Sequence, residues 1–124
     1  MKKIALLLLL VAGPAVANEF YAFDPAFPGG AHPADCGNID TFGNRWLIVG
    51  AGPGGEPRVN AYVIRGGEAQ GPIYSWLAYD PRFAGGVWVT CGVVGLYTVV
   101  WTGAGPGGGP HIRSWVMPGP QIPY

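Results

Sequence analysis

The sequence predicts an all-β fold built from two related units, and three observations carry that expectation. Twenty-two glycines and thirteen prolines among 124 residues leave no window long enough for a stable helix. Short β-branched and aromatic runs bounded by Gly or Pro recur along the chain. The block Gly50-Ala51-Gly52-Pro53-Gly54-Gly55-Glu56-Pro57 returns 53 residues later as Gly103-Ala104-Gly105-Pro106-Gly107-Gly108-Gly109-Pro110. A second echo, spaced by 56 residues, sets Ala22-Phe23-Asp24-Pro25-Ala26-Phe27-Pro28-Gly29-Gly30 against Ala78-Tyr79-Asp80-Pro81-Arg82-Phe83-Ala84-Gly85-Gly86. Periods of this size belong to stacked or radial repeats.

The N-terminus has the layout of a secretory signal peptide over residues 1–17. Lys2 and Lys3 precede the apolar run Ile4 to Ala12, and Gly13-Pro14 leads to the small-residue site Ala15-Val16-Ala17. The apolar run is too short to span a bilayer. The remainder, residues 18–124, reads as one two-repeat domain, with repeat one at about 20–76 and repeat two at about 77–124.

Turn chemistry then delimits eight strands, four per unit. Glu19 to Phe23 stops at Asp24-Pro25, and Ala31 to Cys36 follows Gly29-Gly30. Arg45 to Val49 runs into the first glycine-proline block, and Arg58 to Ile64 leaves it and ends at Gly66-Gly67. Ile73 to Tyr79 stops at Asp80-Pro81, and Val87 to Cys91 follows Gly85-Gly86. Tyr97 to Thr102 enters the second block and His111 to Met117 leaves it. Alternation assigns faces. Val59, Ala61 and Val63 oppose Arg58, Asn60 and Tyr62, while Ile112, Ser114 and Val116 oppose His111, Arg113 and Trp115. One side of each unit is therefore small and apolar, and the other carries a polar and aromatic ladder.

Leu47-Ile48-Val49 followed by Gly50, Gly52 and Gly55 imitates a dinucleotide-binding fingerprint, which requires a helix directly after the glycines. Pro57 and an alternating run follow instead, and the same glycines reappear as Gly103, Gly105 and Gly108. No cofactor is expected. Without the leader, five arginines face seven carboxylates, a net charge of −2, so the basic footprint of a nucleic-acid binder is missing. Charged residues are only 11% of the chain against 13% aromatic, a balance that leaves aromatic and backbone groups on the surface. Cys36 and Cys91, each followed by Gly, stand at matching places in the two units. They are either bridged, as an oxidising compartment permits, or two small buried hydrophobes.

The order of these blocks resembles the FG-GAP or VCBS class of integrin-like β-propeller repeats. An aromatic strand enters Asp-Pro-x-Phe-x-Gly-Gly, an inner strand ends in a small residue and Gly, and an apolar strand enters Gly-Ala-Gly-Pro-Gly-Gly-x-Pro before an alternating strand. The likeness covers Phe20 to Met117. It implies two propeller-blade-like sheets, with the N-terminal strand completing the last blade of its own chain or of a neighbour. It also implies a calcium loop, at Asn38 and Asp40 in the first unit. Phe42 and Trp46 stand where oxygen donors are needed and the second unit offers only the Tyr97 hydroxyl, so no metal is expected in either loop. Propellers close with about four to eight blades. Two blades per chain imply a homo-oligomer.

Asp24 and Asp80 are expected to brace their own turns, and no nucleophile-histidine arrangement or recurring carboxylate pair marks an enzyme. The function expected is an extracellular or periplasmic binding or adhesion module, non-enzymatic, for a glycan or a surface protein. Its expected ligand residues are Arg58, Asn60, Tyr62, Trp88, His111, Arg113 and Trp115, which combine planar rings with hydrogen-bond donors. Those side chains alternatively pack between sheets. The alternative function is a structural subunit of an extracellular assembly or filament.

Overall fold

A computed structural model of the chain describes residues 18–38, 43–95 and 97–117. Among these residues there is no helix, and the strands are β1 (Ala31–Asn38), β2 (Arg45–Ala51), β3 (Arg58–Arg65), β4 (Glu68–Leu77), β5 (Val87–Val94), β6 (Tyr97–Ala104) and β7 (Ile112–Val116). They form two antiparallel meanders, a four-stranded sheet ordered β1-β2-β3-β4 and a three-stranded sheet ordered β5-β6-β7. The expected signal peptide at 1–17 lies outside the described residues.

Two sequence expectations are corrected. Glu19 to Phe23 is not a strand: the Ala22 carbonyl, which a ladder would pair with a backbone N–H, is instead taken by the side chains of Asn60 and Tyr62. Ile73 to Tyr79 does not open the second unit. It is the end of β4, because Gly66 (φ 58°) and Gly67 (φ 81°) make a two-residue hairpin that folds β4 back onto β3. The second sheet consequently holds three strands rather than four among the described residues. Both glycine-proline blocks join neighbouring antiparallel strands, β2 to β3 and β6 to β7, with no helix after the glycines.

The two units repeat one another bond for bond at their turns. The Phe27 N–H donates to the Asp24 carbonyl at 2.9 Å, as Phe83 N–H does to Asp80 at 2.8 Å. Asp24 Oδ1 accepts from Ala26 N–H and Asp80 Oδ1 from Arg82 N–H, at 2.8 and 2.9 Å, so both aspartates brace their own turns. Gly52 N–H donates to Gly30, and Gly105 N–H to Gly86, each at 2.9 Å. At Gly52 a Cβ would collide with the Gly29 carbonyl, and at Gly105 with that of Gly85. The second glycine of each block is thus held to Gly by close backbone approach.

The core lies between the sheets. One face of the first sheet supplies Trp46, Ile48, Val59, Ala61 and Val63, all under 8% exposed. Against it, the second sheet sets Val87 and Val100, with Val89, Cys91 and Trp115 partly buried beside them. Each fully buried branched side chain contributes about 1.5–3 kcal/mol relative to exposure. Val87 is packed tightly enough that a Cβ at Gly50 would strike its carbonyl. Cys36 and Cys91 form a disulfide across the seam, Cα atoms 5.5 Å apart, which resolves the alternative left open by the sequence. His32 Nδ1 donates to the Val87 carbonyl at 2.8 Å, and its ring stacks on Trp88 with centroids 3.8 Å apart.

Candidate functional site

Of the ladder residues on and beside β3 and β7, Asn60 and Tyr62 are buried, Arg58 and Trp115 half-buried, and His111 and Arg113 exposed. Asn60 and Tyr62 are 6% and 4% exposed, and both donate to the Ala22 carbonyl, at 2.8 and 2.7 Å. Phe20 sets its ring edge-on to Tyr62 at 5.0 Å. The second unit repeats the scheme with different chemistry. Arg113 Nη1 donates to the Ala78 carbonyl at 2.9 Å, Trp115 packs on Trp76 at 5.8 Å, and Trp115 Nε1 donates to Thr102 Oγ1 at 3.0 Å. Tyr62 and Trp115 are therefore occupied in holding the chain segment that precedes each Asp-Pro turn. Burial pushes the Tyr62 phenol above its ordinary pKa, and its hydrogen bond with Asn60 opposes the shift. Trp88 does not join the ladder: it pairs with Gly103, beside Ile112, on the opposite face of the second sheet, and is 59% exposed.

The structure instead gathers the polar half of each ladder into a pocket, and the two pockets are lined by equivalent residues. The first, about 390 Å³, is bounded by Phe23, Asp24, Phe27, Ala51, Gly55, Glu56, Arg58 and Asn60. The second, about 280 Å³, has Tyr79, Asp80, Phe83, Ala104, Gly108, His111 and Arg113 in the corresponding places. Each sits between an Asp-Pro turn and a glycine-proline hairpin. Phe27 presses against Gly55, and Phe83 against Gly108, so a side chain at either glycine would meet the ring.

The two pockets differ in how far their own groups satisfy one another. In the second, the Tyr79 hydroxyl lies 2.9 Å from the carbonyls of both Thr102 and His111, and the Arg113 guanidinium stands 5.4 Å over the Tyr79 ring. In the first, Phe23 replaces the tyrosine and Asn60 replaces the arginine. The Ala22 carbonyl only accepts, so the Asn60 amide nitrogen must point to it, and the amide orientation is fixed. Asn60 Oδ1 is left buried with no hydrogen-bond partner. An orphaned buried acceptor costs about 1–3 kcal/mol. On the same wall Arg58 Nε donates to Glu56 at 2.7 Å and Nη1 to Ser75 Oγ at 2.7 Å. The first pocket is therefore walled by two aromatic rings, with an ion pair at its rim and an acceptor without a donor buried in the wall behind.

Phe23, Phe27, Asp24 and Glu56, which are not among the expected ligand residues, also line the first pocket, and the duplicated Asp-Pro-x-Phe block is the sequence signal that points to the first three. Asp40 and Phe42 of the calcium-like loop lie outside the described residues. Asn38 closes β1, its backbone opposite Arg45. Among the described residues no three His, Cys, Asp or Glu side chains gather to hold a metal ion. No helix among them is long and apolar enough to cross a membrane. Comparison of the chain with protein-family models, with curated proteins and with solved structures finds no match in any of the three.

Proposed function

We propose that the chain is an exported, non-enzymatic binding module of blade-like β repeats, and that its first pocket takes a sugar unit of an extracellular glycan. The observation that carries this reading is Asn60 Oδ1, a buried acceptor without a donor in a pocket walled by Phe23 and Phe27. A pyranose offers C–H faces for the rings, a hydroxyl donor for the amide oxygen, and further hydroxyls for the Glu56–Arg58 pair. Glu56 is committed to Arg58 and Asp24 Oδ1 to its own turn, so neither is set up as a general acid. The disulfide suits an oxidising compartment, extracellular or periplasmic.

A glycan array of the mature protein, followed by calorimetry on the strongest hit, tests the reading. Asn60→Leu is expected to weaken the hit at least tenfold, and Glu56→Ala at the exposed rim severalfold, with the near-ultraviolet spectrum of both variants unchanged. An array without reproducible hits, or a hit indifferent to both substitutions, removes the first pocket as a sugar site. Glu56→Ala keeps the test open should Asn60→Leu loosen the hold on Ala22.

A further inference from the structure

The packing that joins the two sheets is polar in direction: one face of the first sheet receives the opposite face of the second. No further sheet lies against the corresponding face of the second sheet among the described residues: His32 stacks on Trp88 and Val99 is buried, while Trp101 and Ile112 are exposed. By the 53-residue offset, Ile48 and Val59 of the buried face correspond to Trp101 and Ile112. Ile48 and Val59 are fully buried, whereas Trp101 is 39% and Ile112 62% exposed. Trp88, equivalent to His32, lies on the same face, 59% exposed. The open face thus bears three large apolar side chains with no charge among them, around a shallow groove of about 440 Å³.

An edge is open as well. In the first sheet, residues 74–77 of β4 pair with residues 58–61 of β3. The equivalents of 58–61 are residues 111–114, and β7 has no further strand on that side among the described residues. The equivalents of 74–77 are residues 18–21, which carry no regular structure and expose Phe20 (44%) and Tyr21 (76%).

We propose that a second copy of this chain docks head to tail on the second sheet, laying its residues 18–21 along the free edge of β7 and its first sheet over Trp101 and Ile112. The occupant is specified by continuity with the interface already present: the first unit of the second copy carries the same turns, the same glycine contacts and the same bond from ladder residue to carbonyl, Asn60 to Ala22, that the second unit uses to seat itself on the first sheet, Arg113 to Ala78. The β3–β4 register, carried over by the repeat, sets Tyr21 opposite His111 and Phe20 opposite Ile112. Strand addition would supply partners for the β7 backbone, and the apolar face would leave water. A contact of this head-to-tail kind propagates until it closes. With two sheets per chain, two to four copies reach the four to eight blades at which propellers close.

Light scattering of the mature, oxidised chain is expected to give two to four times the mass of one chain, independent of concentration in the micromolar range. A monomer overturns the proposal, and is also the outcome expected if residues 118–124 of the same chain cover this face. The double variant Trp101→Glu/Ile112→Glu, altered only at exposed positions, is expected to run as a folded monomer. So is Tyr21→Glu, on the other side of the contact and 76% exposed in its own chain. Assembly that survives the second variant but not the first indicates face-to-face pairing and equally overturns head-to-tail docking. None of these readouts uses a sugar, so the pocket reading and this one can fail separately.

Discussion

Cys36 and Cys91 join β1 to β5 across the seam between the sheets, 55 residues apart in the chain and 5.5 Å apart at Cα. Closing a loop of that length stabilises by roughly 4 kcal/mol in the chain-entropy account. Cys36→Ala/Cys91→Ala is expected to lose about 2–5 kcal/mol in urea unfolding relative to the oxidised protein. A midpoint unchanged by the double substitution would show that the core alone holds the seam.

Gly52 and Gly105 approach the carbonyls of Gly29 and Gly85 more closely than a Cβ allows. Gly52→Ala and Gly105→Ala should each destabilise by about 1–3 kcal/mol, because backbone rather than a flexible side chain must move. The similar cost of the two substitutions, read from thermal melts, is the signature of equivalent turns. A neutral result at either position contradicts the close approach described there.

Ile48 and Ile112 contrast one face in its buried and open settings. Ile48→Ala is expected to cost about 2–5 kcal/mol, and Ile112→Ala under about 0.5 kcal/mol in the isolated chain. Denaturant titration under dissociating conditions measures both. Equal losses would mean that the second sheet is covered within its own chain.

Tyr62 gives the fold an alkaline limit. Its phenol is raised above 10.0 in the folded state, chiefly by burial. Between the unfolded value and the higher folded one the unfolded chain gives up its proton first, so stability is complete below about pH 10 and falls as pH rises beyond it. Tyr62→Phe should flatten that fall while costing about 1 kcal/mol at neutral pH, since Ala22 then keeps only the Asn60 bond. Urea midpoints from pH 7 to 11 test it, and an identical slope in the variant would assign the alkaline loss elsewhere.

The all-β class, the duplicated turns and seven of the eight expected strands are legible without coordinates, because Gly-Pro punctuation and two-residue alternation are local properties of the chain. Alternation also separates Asn60 and Tyr62 from Val59 and Ala61. It cannot say which face of each sheet is covered. The face shared by Ile48 and Val59 is the core in the first unit, while its counterpart with Trp101 and Ile112 is surface in the second.

Local order along the chain was enough to place the turns, the aspartates that brace them and the matched cysteines. Two further properties belong to the tertiary structure alone: that Cys36 meets Cys91, and that Phe23 and Phe27 meet Arg58 and Asn60 around one pocket. Each depends on which sheet lies against which segment. Contacts between residues 30 or more positions apart arise from packing, and neither periodicity nor turn chemistry encodes them.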